Sequence, residues 1–169
     1  MRYTIKHIFN TDIDTFWDKI FFDREYNDTL FKQHLGFTVY DVLELEKKDD
    51  GSVTRRVRGV PKAEIPAAVK KVLGDSAGYT EVGRFDPKAR RFHVEVIPNT
   101  AADKIKTKLS MWVEPRGDKK VERFVEVDNQ VKIFGVGKMV ESVIEKQTRD
   151  NYGRAADFTN KWIADKGLG

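Results

Sequence analysis

The stretch from residue 133 to 166 constrains this chain most. It reads as one long amphipathic helix, and most of what precedes it reads as strands. Val136, Val140, Val143, Ala155, Phe158 and Trp162 recur at spacings of three and four residues or sums of them, which is the helical period. Met139, Ile144, Tyr152, Ala156 and Ile163 widen the stripe, and charged residues fill the other face. Gly135 and Gly137 stand at its start and Gly167 at its end, with no proline between. Roughly 30 residues at about 1.5 Å each make a rod of about 45 Å. Such a rod crosses a whole small domain and needs a broad apolar surface to lie on. Gln147 and Asn151 interrupt its apolar face midway between Val143 and Ala155. Either they sit at the edge of the stripe, solvated or bonded to backbone, or they face a cavity and orient the polar end of a ligand.

The preceding residues supply that surface. Residues 2–9 alternate, with Tyr3, Ile5, His7 and Phe9 on one face. Asn10-Thr11-Asp12 offers helix caps, and Ile13, Phe16, Trp17 and Ile20 follow at helical spacing. Asp23 can cap a second short helix over 24–35, closed by Gly36. Phe37, Val39, Leu43 and Leu45 share a strand face, with Asp41 among them. Asp49-Asp50-Gly51 turns the chain into a returning strand through Val53 and Val57. Ile65-Pro66 opens a short helix that Gly74 ends. Further strands are expected over 79–86, 90–97, 104–113 and 120–132. This order predicts an α+β fold: a curved antiparallel sheet of six to seven strands wrapped around the long C-terminal helix, with two short helices after strand one. No linker divides the chain, so a single domain over 1–169 is expected.

Composition removes several classes of function. No apolar run approaches the roughly 20 residues of a membrane span. The N-terminal residues move straight into a strand pattern without the apolar core of a signal peptide. There is no cysteine, so neither disulfides nor thiolate chemistry apply; both features fit a cytoplasmic protein. The net charge of +4 is unevenly placed, with fifteen Lys/Arg against eight Asp/Glu in residues 47–108. Alternation assigns that excess to a solvated sheet face, the other reading being an anionic partner. Aromatics are not interleaved with the basic residues as a stacking surface requires, Trp112 excepted, so no nucleic acid is expected.

Catalytic signatures are sparse. His7, His34 and His93 lack metal-ligand spacing, and no cofactor or metal is expected. Gly135-Val136-Gly137-Lys138 lacks the remaining residues of a phosphate loop, and no Gly-x-Ser-x-Gly occurs. What remains is three polar residues on inferred inward faces: His7, Asp41 and Arg123. Burying any of them demands partners.

The element order resembles that of the START-like helix-grip superfamily. The matching segments are the hairpin through Asp50-Gly51, Ile65-Pro66 with Val69 and Leu73-Gly74, and Lys132-Ile133-Phe134-Gly135-Val136-Gly137 opening the last helix. The superfamily includes steroidogenic lipid-transfer domains, plant pollen-allergen-like proteins and polyketide cyclases/aromatases; more narrowly, the chain resembles an uncharacterised bacterial branch of it. The resemblance is topological and covers nearly the whole chain. It implies an elongated cavity between sheet and helix, suited to a hydrophobic small molecule or lipid. Phe37, Val39 and Val57 would line it from strands two and three, and Leu109, Met111 and Val125 from the last two. Val143, Gln147, Asn151 and Phe158 would line it from the helix. Tyr26, Phe31 and the 61–78 segment would form its mouth. The reading that follows is a binder or carrier of such a molecule, with no transmembrane segment and an oligomeric state that the sequence leaves open. The alternatives are a cyclase/aromatase-, dehydratase- or hydrolase-like enzyme using His7, Asp41 and Arg123 in the same cavity, or an interaction module using the basic 47–108 region.

Overall fold

Strands with apolar side chains at every second position bury one face only when a second layer covers it. Here that layer is the C-terminal helix. The computed structural model describes all residues except 63, 75 and 76, and the side chain of Leu73. The chain runs β1 (Arg2–Phe9), α1 (Ile13–Thr15), α2 (Arg24–Asp28), β2 (Val39–Lys47), β3 (Val53–Val60), α3 (Ala67–Leu73), β4 (Tyr79–Asp86), β5 (Arg91–Pro98), β6 (Ile105–Pro115), β7 (Val121–Val131) and α4 (Gly137–Lys166). The seven strands form one antiparallel sheet in the order β1-β7-β6-β5-β4-β3-β2. It is the α+β helix-grip arrangement that the sequence predicts.

The two short helices each widen into a π-helical stretch, Phe16–Phe21 after α1 and Thr29–His34 after α2. Aspartates set their starts. Asp12 Oδ1 accepts from the Thr15 amide at 2.8 Å, and Asp23 Oδ1 from the Tyr26 amide at 2.7 Å. The first π stretch carries Phe16, Trp17, Ile20 and Phe21 onto the sheet. Phe9 and Phe16 stack at 5.6 Å, Trp17 meets Phe85 at 4.7 Å, and Phe21 meets Phe92 edge-on at 5.0 Å. Gly83 makes room for this plug: a Cβ there would stand 2.1 Å from Phe92 Cζ, so the ring lies directly on bare backbone.

Helix α4 packs on β1 and β7 at one end of the sheet. Its buried residues are Val140, Ala155, Ala156, Thr159 and Ile163. Small side chains at 155 and 156 bring it close to α2, where Tyr26 Oη and Thr159 Oγ1 share a hydrogen bond of 2.7 Å. Gly167, left-handed at φ 64°, ends the helix, and Thr11 Oγ1 donates to the Leu168 carbonyl at 2.6 Å. A smaller cluster of Ile65, Val69, Ile105 and Val140 fixes α3 to the start of α4.

The phase of β2 differs from the expected one. Tyr40 opposite Gly59 is the buried side chain, while Asp41 opposite Arg58 is exposed and Val39 pairs with Val60 on the outer face. The register shifts between Val42 and Glu44, so alternation counted back from Leu45 across this bulge assigns the wrong face. Asp41 therefore does not face the interior. Trp112 is on the outer face, as alternation requires, stacked on Phe124 at 5.1 Å and covered by the Arg91 guanidinium at 4.0 Å.

Candidate functional site

The middle of α4 meets only the β1–β7 side of the sheet, where Arg149 reaches the Thr4 carbonyl and Tyr152 covers the Arg123 guanidinium at 4.8 Å. Ile144, Gln147, Thr148, Asn151 and Tyr152 stand above the sheet half-buried, and beneath them lies a cavity of about 260 Å³. That volume is near the small end of pockets for organic ligands, about 300–1,000 Å³. The floor is Val94 and Val96 from β5, Thr107, Leu109 and Met111 from β6, and Val127 from β7. The far wall is Tyr79 and Glu81 from β4 with Arg55 from β3. Phe21, Tyr26, Leu30, Phe31 and Phe37 close the side formed by the short helices, and Pro61, Ala77 and Gly78 border the remaining side.

Of the residues expected to line such a cavity, Phe37, Leu109, Met111, Gln147 and Asn151 do so. Five do not, each for a local reason. Val39 faces outward because of the β2 bulge. Val57 and Val125 are on the inward face but are sealed in the main core, at 2% and 0% exposure, where the aromatic plug already fills the space. Val143 turns toward the small cluster around Val69 and Val140. Phe158 is just under one turn beyond Ala155, the last residue of α4 that lines the cavity, and packs against Tyr26, His34 and Trp162. Tyr26 and Phe31 border the cavity, but of the 61–78 segment only Pro61, Ala77 and Gly78 do so among the described residues; Ile65 and Val69 pack in the small cluster instead, and residues 63, 75 and 76 are outside the described residues.

His7 and Arg123 meet; Asp41 does not join them. Arg123 Nη2 lies 3.1 Å from His7 Nδ1. A guanidinium only donates, so Nδ1 is the acceptor and the imidazole is neutral with its proton on Nε2. Burial, and then the Arg123 charge, hold His7 down to about 4 from an ordinary 6.5, against a smaller opposing pull from Asp157. The other two histidines are elsewhere: His34 contacts the Arg154 carbonyl at 3.2 Å, and His93 faces Ser110 on the outer surface. Among the described residues no three His, Cys, Asp or Glu side chains gather as a metal site.

A second buried arginine was hidden among the basic residues of β3. Arg55 shares the inward parity of Val53 and Val57, and that parity was the available signal. Arg55 Nη2 donates to Glu81 Oε1 at 2.6 Å, and its guanidinium carbon is 4.8 Å from the Phe21 ring centre and 5.0 Å from that of Phe92. Burial is the largest single influence and weakens its proton affinity, but the Glu81 charge and hydrogen bond together with Tyr40 and Tyr152 more than offset it, and the net direction is up. The phenols around the cavity remain protonated. Burial pushes Tyr152 up to about 12, and raises Tyr26, Tyr40 and Tyr79 as well. The cavity is thus largely apolar in its floor, with two arginines, one carboxylate, several phenols and three amides at its margin.

Several of the remaining basic residues of 47–108 are set against acids on the outer face. Asp41 opposes Arg58, Glu44 opposes Arg56, and Lys108 lies between Glu95 and Asp128. A more open hollow of about 760 Å³ lies on that face, bordered by Arg84, His93, Lys108, Glu126 and Asp128 among others. No helix among the described residues is long and apolar enough to cross a membrane.

A sheet gripping a long C-terminal helix over an internal cavity is the START-like architecture, and solved structures of that class superpose over nearly the full chain. The ZhuI aromatase/cyclase from Streptomyces sp. R1128 matches with a TM-score of 0.66 at 11% identity, covering 96% of this chain and 95% of its own. A START superfamily protein from Mycobacterium smegmatis matches at 0.63 and 13%, covering 96% and 98%. Norcoclaurine synthase from Thalictrum flavum, in complex with dopamine and hydroxybenzaldehyde, matches at 0.65 and 17%, covering 98% and 88%. At these identities the likeness is one of fold. Within the class, the chain belongs to the family described as "Protein of unknown function (DUF2505)", whose model matches residues 4–163. No protein of curated function matches the sequence.

Proposed function

We propose that this protein binds or carries a hydrophobic small molecule in the cavity between the sheet and α4. The observation that carries the reading is the cavity itself: about 260 Å³ with a floor of Val94, Val96, Leu109, Met111 and Val127. A well-packed core leaves few voids larger than a water molecule. Space of this size beneath the longest helix is therefore a feature the chain maintains at some expense of packing. Gln147 and Asn151 fit the same reading. They interrupt the apolar stripe of α4 where the helix overlies the cavity, a placement that serves a ligand's polar group. The complex of norcoclaurine synthase with two small aromatic compounds is consistent with ligand binding in this fold.

The test is native mass spectrometry of freshly purified protein, with organic extraction of whatever is released, followed by titration with the neutral fluorophore N-phenylnaphthylamine. The expected result is stoichiometric binding of an apolar compound or of the fluorophore. Leu109→Trp, which fills the cavity floor, should abolish it. Unchanged fluorophore binding by a folded Leu109→Trp variant would place the site elsewhere and overturn the reading.

A further inference from the structure

Arg123 has no acid to pair with among the described residues. It is 6% exposed, it lines the cavity, and among the described residues no carboxylate lies within ion-pair distance of it. Its protein partners are soft. Nη2 donates to neutral His7, and the guanidinium carbon is 4.9 Å from the Phe9 ring centre and 4.8 Å from that of Tyr152. Nε is buried with no hydrogen-bond partner. Aromatic faces attract a cation but neither neutralise it nor accept its in-plane N–H groups as an oxygen does. An arginine remains charged even where burial disfavours the charge, so the cavity keeps an uncompensated positive group at one margin. Arg55, nearly as buried, shows what the compensated version of the same group looks like, with Glu81 in place.

We propose that Arg123 is an anion-recognition group and that the ligand is a small hydrophobic monocarboxylate. This rests on the cavity-binding reading above and names the class of compound. The carboxylate takes the guanidinium N–H groups that His7 leaves free, while His7 holds Nη2 and fixes the orientation of the fork. The apolar body lies against Val94, Leu109 and Met111. A guanidinium–carboxylate pair away from water is a charge-assisted, directional contact, stronger than a neutral hydrogen bond. The single uncompensated charge selects one carboxylate rather than two, and the cavity volume limits the body to a medium-length chain or at most three rings.

The experiment compares matched pairs that differ only in the head group: decanoate against decanol, and phenylbutyrate against phenylbutanol. Each is measured by displacement of N-phenylnaphthylamine and by calorimetry on the full-length protein near neutral pH. The acids should bind at least about tenfold more tightly than the alcohols. In Arg123→Met that ratio should collapse to about one, and in Arg123→Lys, which keeps the charge without the fork, it should fall part of the way. If Arg123→Met does not fold, Arg123→Gln, which retains a donor toward His7, replaces it. Alcohols that bind as well as acids to the wild type would overturn the proposal while leaving the cavity reading intact. So would an acid preference that survives loss of Arg123. Failure of the fluorophore and of both members of each pair to bind would overturn both.

Discussion

The two ends of the cavity wall solve the same electrostatic problem differently. Arg55 on β3 and Arg123 on β7 are 8% and 6% exposed, and each is set against two aromatic rings. Arg55 has a carboxylate partner from the next strand; Arg123 has a neutral imidazole from the next strand. Burial lowers the proton affinity of both, yet the net direction is up for Arg55 and down for Arg123, because only Arg55 faces a carboxylate. At the β3–β4 end the chain closes its own ion pair, and that charge serves the fold. At the β1–β7 end it leaves the counter-charge to something else. Similar burial and similar aromatic surroundings thus give one arginine with an ionic partner and one without, among the described residues.

The contrast breaks most visibly at Glu81. Glu81→Ala leaves Arg55 buried without its partner, and such removals cost about 3–5 kcal/mol. Chemical denaturation should show that loss in the midpoint with little change in slope. The paired replacement Arg55→Met with Glu81→Leu removes both charges and should recover most of it. If Glu81→Ala is no worse than a surface substitution, the Arg55–Glu81 pair is not what anchors this wall.

The next effect is a pH dependence at the other end. His7 is held neutral, with its folded-state value near 4 against about 6.5 unfolded. Its contribution to stability is therefore fully present above about 6.5. As pH falls through the window from about 6.5 to about 4, the unfolded chain takes up the proton first and that contribution is lost; below about 4 no further loss comes from this group. A histidine NMR titration should find the His7 midpoint near 4. In Arg123→Met the midpoint should move upward, because the nearby positive charge is gone, yet stay below 6.5, because burial is the larger cause. A His7 that titrates near 6.5 in the wild type would mean that it does not accept from Arg123.

Much of this architecture was legible in the chain, and the exceptions have identifiable causes. Alternation located all seven strands, because each presents one face to a common core; helical spacing located α4. The inward placement of Arg123 followed from Val121, Val125 and Val127 flanking it at even spacing. The same logic applied to Arg55 between Val53 and Val57, but three arginines within four positions read as a solvated face. Parity was the better guide there, since one strand can bury one charge and expose its neighbours. Asp41 and Val39 were misplaced by the Val42/Glu44 bulge, which alternation cannot register. Val57 and Val125 were on the correct face, but a strand pattern does not say how far along the sheet the plug ends and the empty space begins. That limit is set by Phe16, Trp17 and Phe21 in a π-helical turn, a geometry that helical spacing alone does not announce.

The smallest expected effect is also the one that separates the two arginines most sharply. Arg123→Met removes a charge that no carboxylate among the described residues neutralises. The change loses the cation–π contacts with Phe9 and Tyr152, about 0.5–2 kcal/mol in all, together with one hydrogen bond to a half-buried histidine that water can also satisfy. It regains the desolvation cost of a buried ion without an ionic partner, which is of the same order or larger. Methionine fills comparable apolar volume between the rings and makes favourable sulfur–aromatic contacts. The two sides nearly cancel, so the ligand-free protein should change by no more than about 1 kcal/mol in either direction. Thermal and denaturant unfolding of extracted, ligand-free protein measure this directly. A loss as large as that of Glu81→Ala would show that Arg123 is structural, held by its rings and His7 as firmly as Arg55 is held by Glu81, and the distinction between the two ends of the wall would fall.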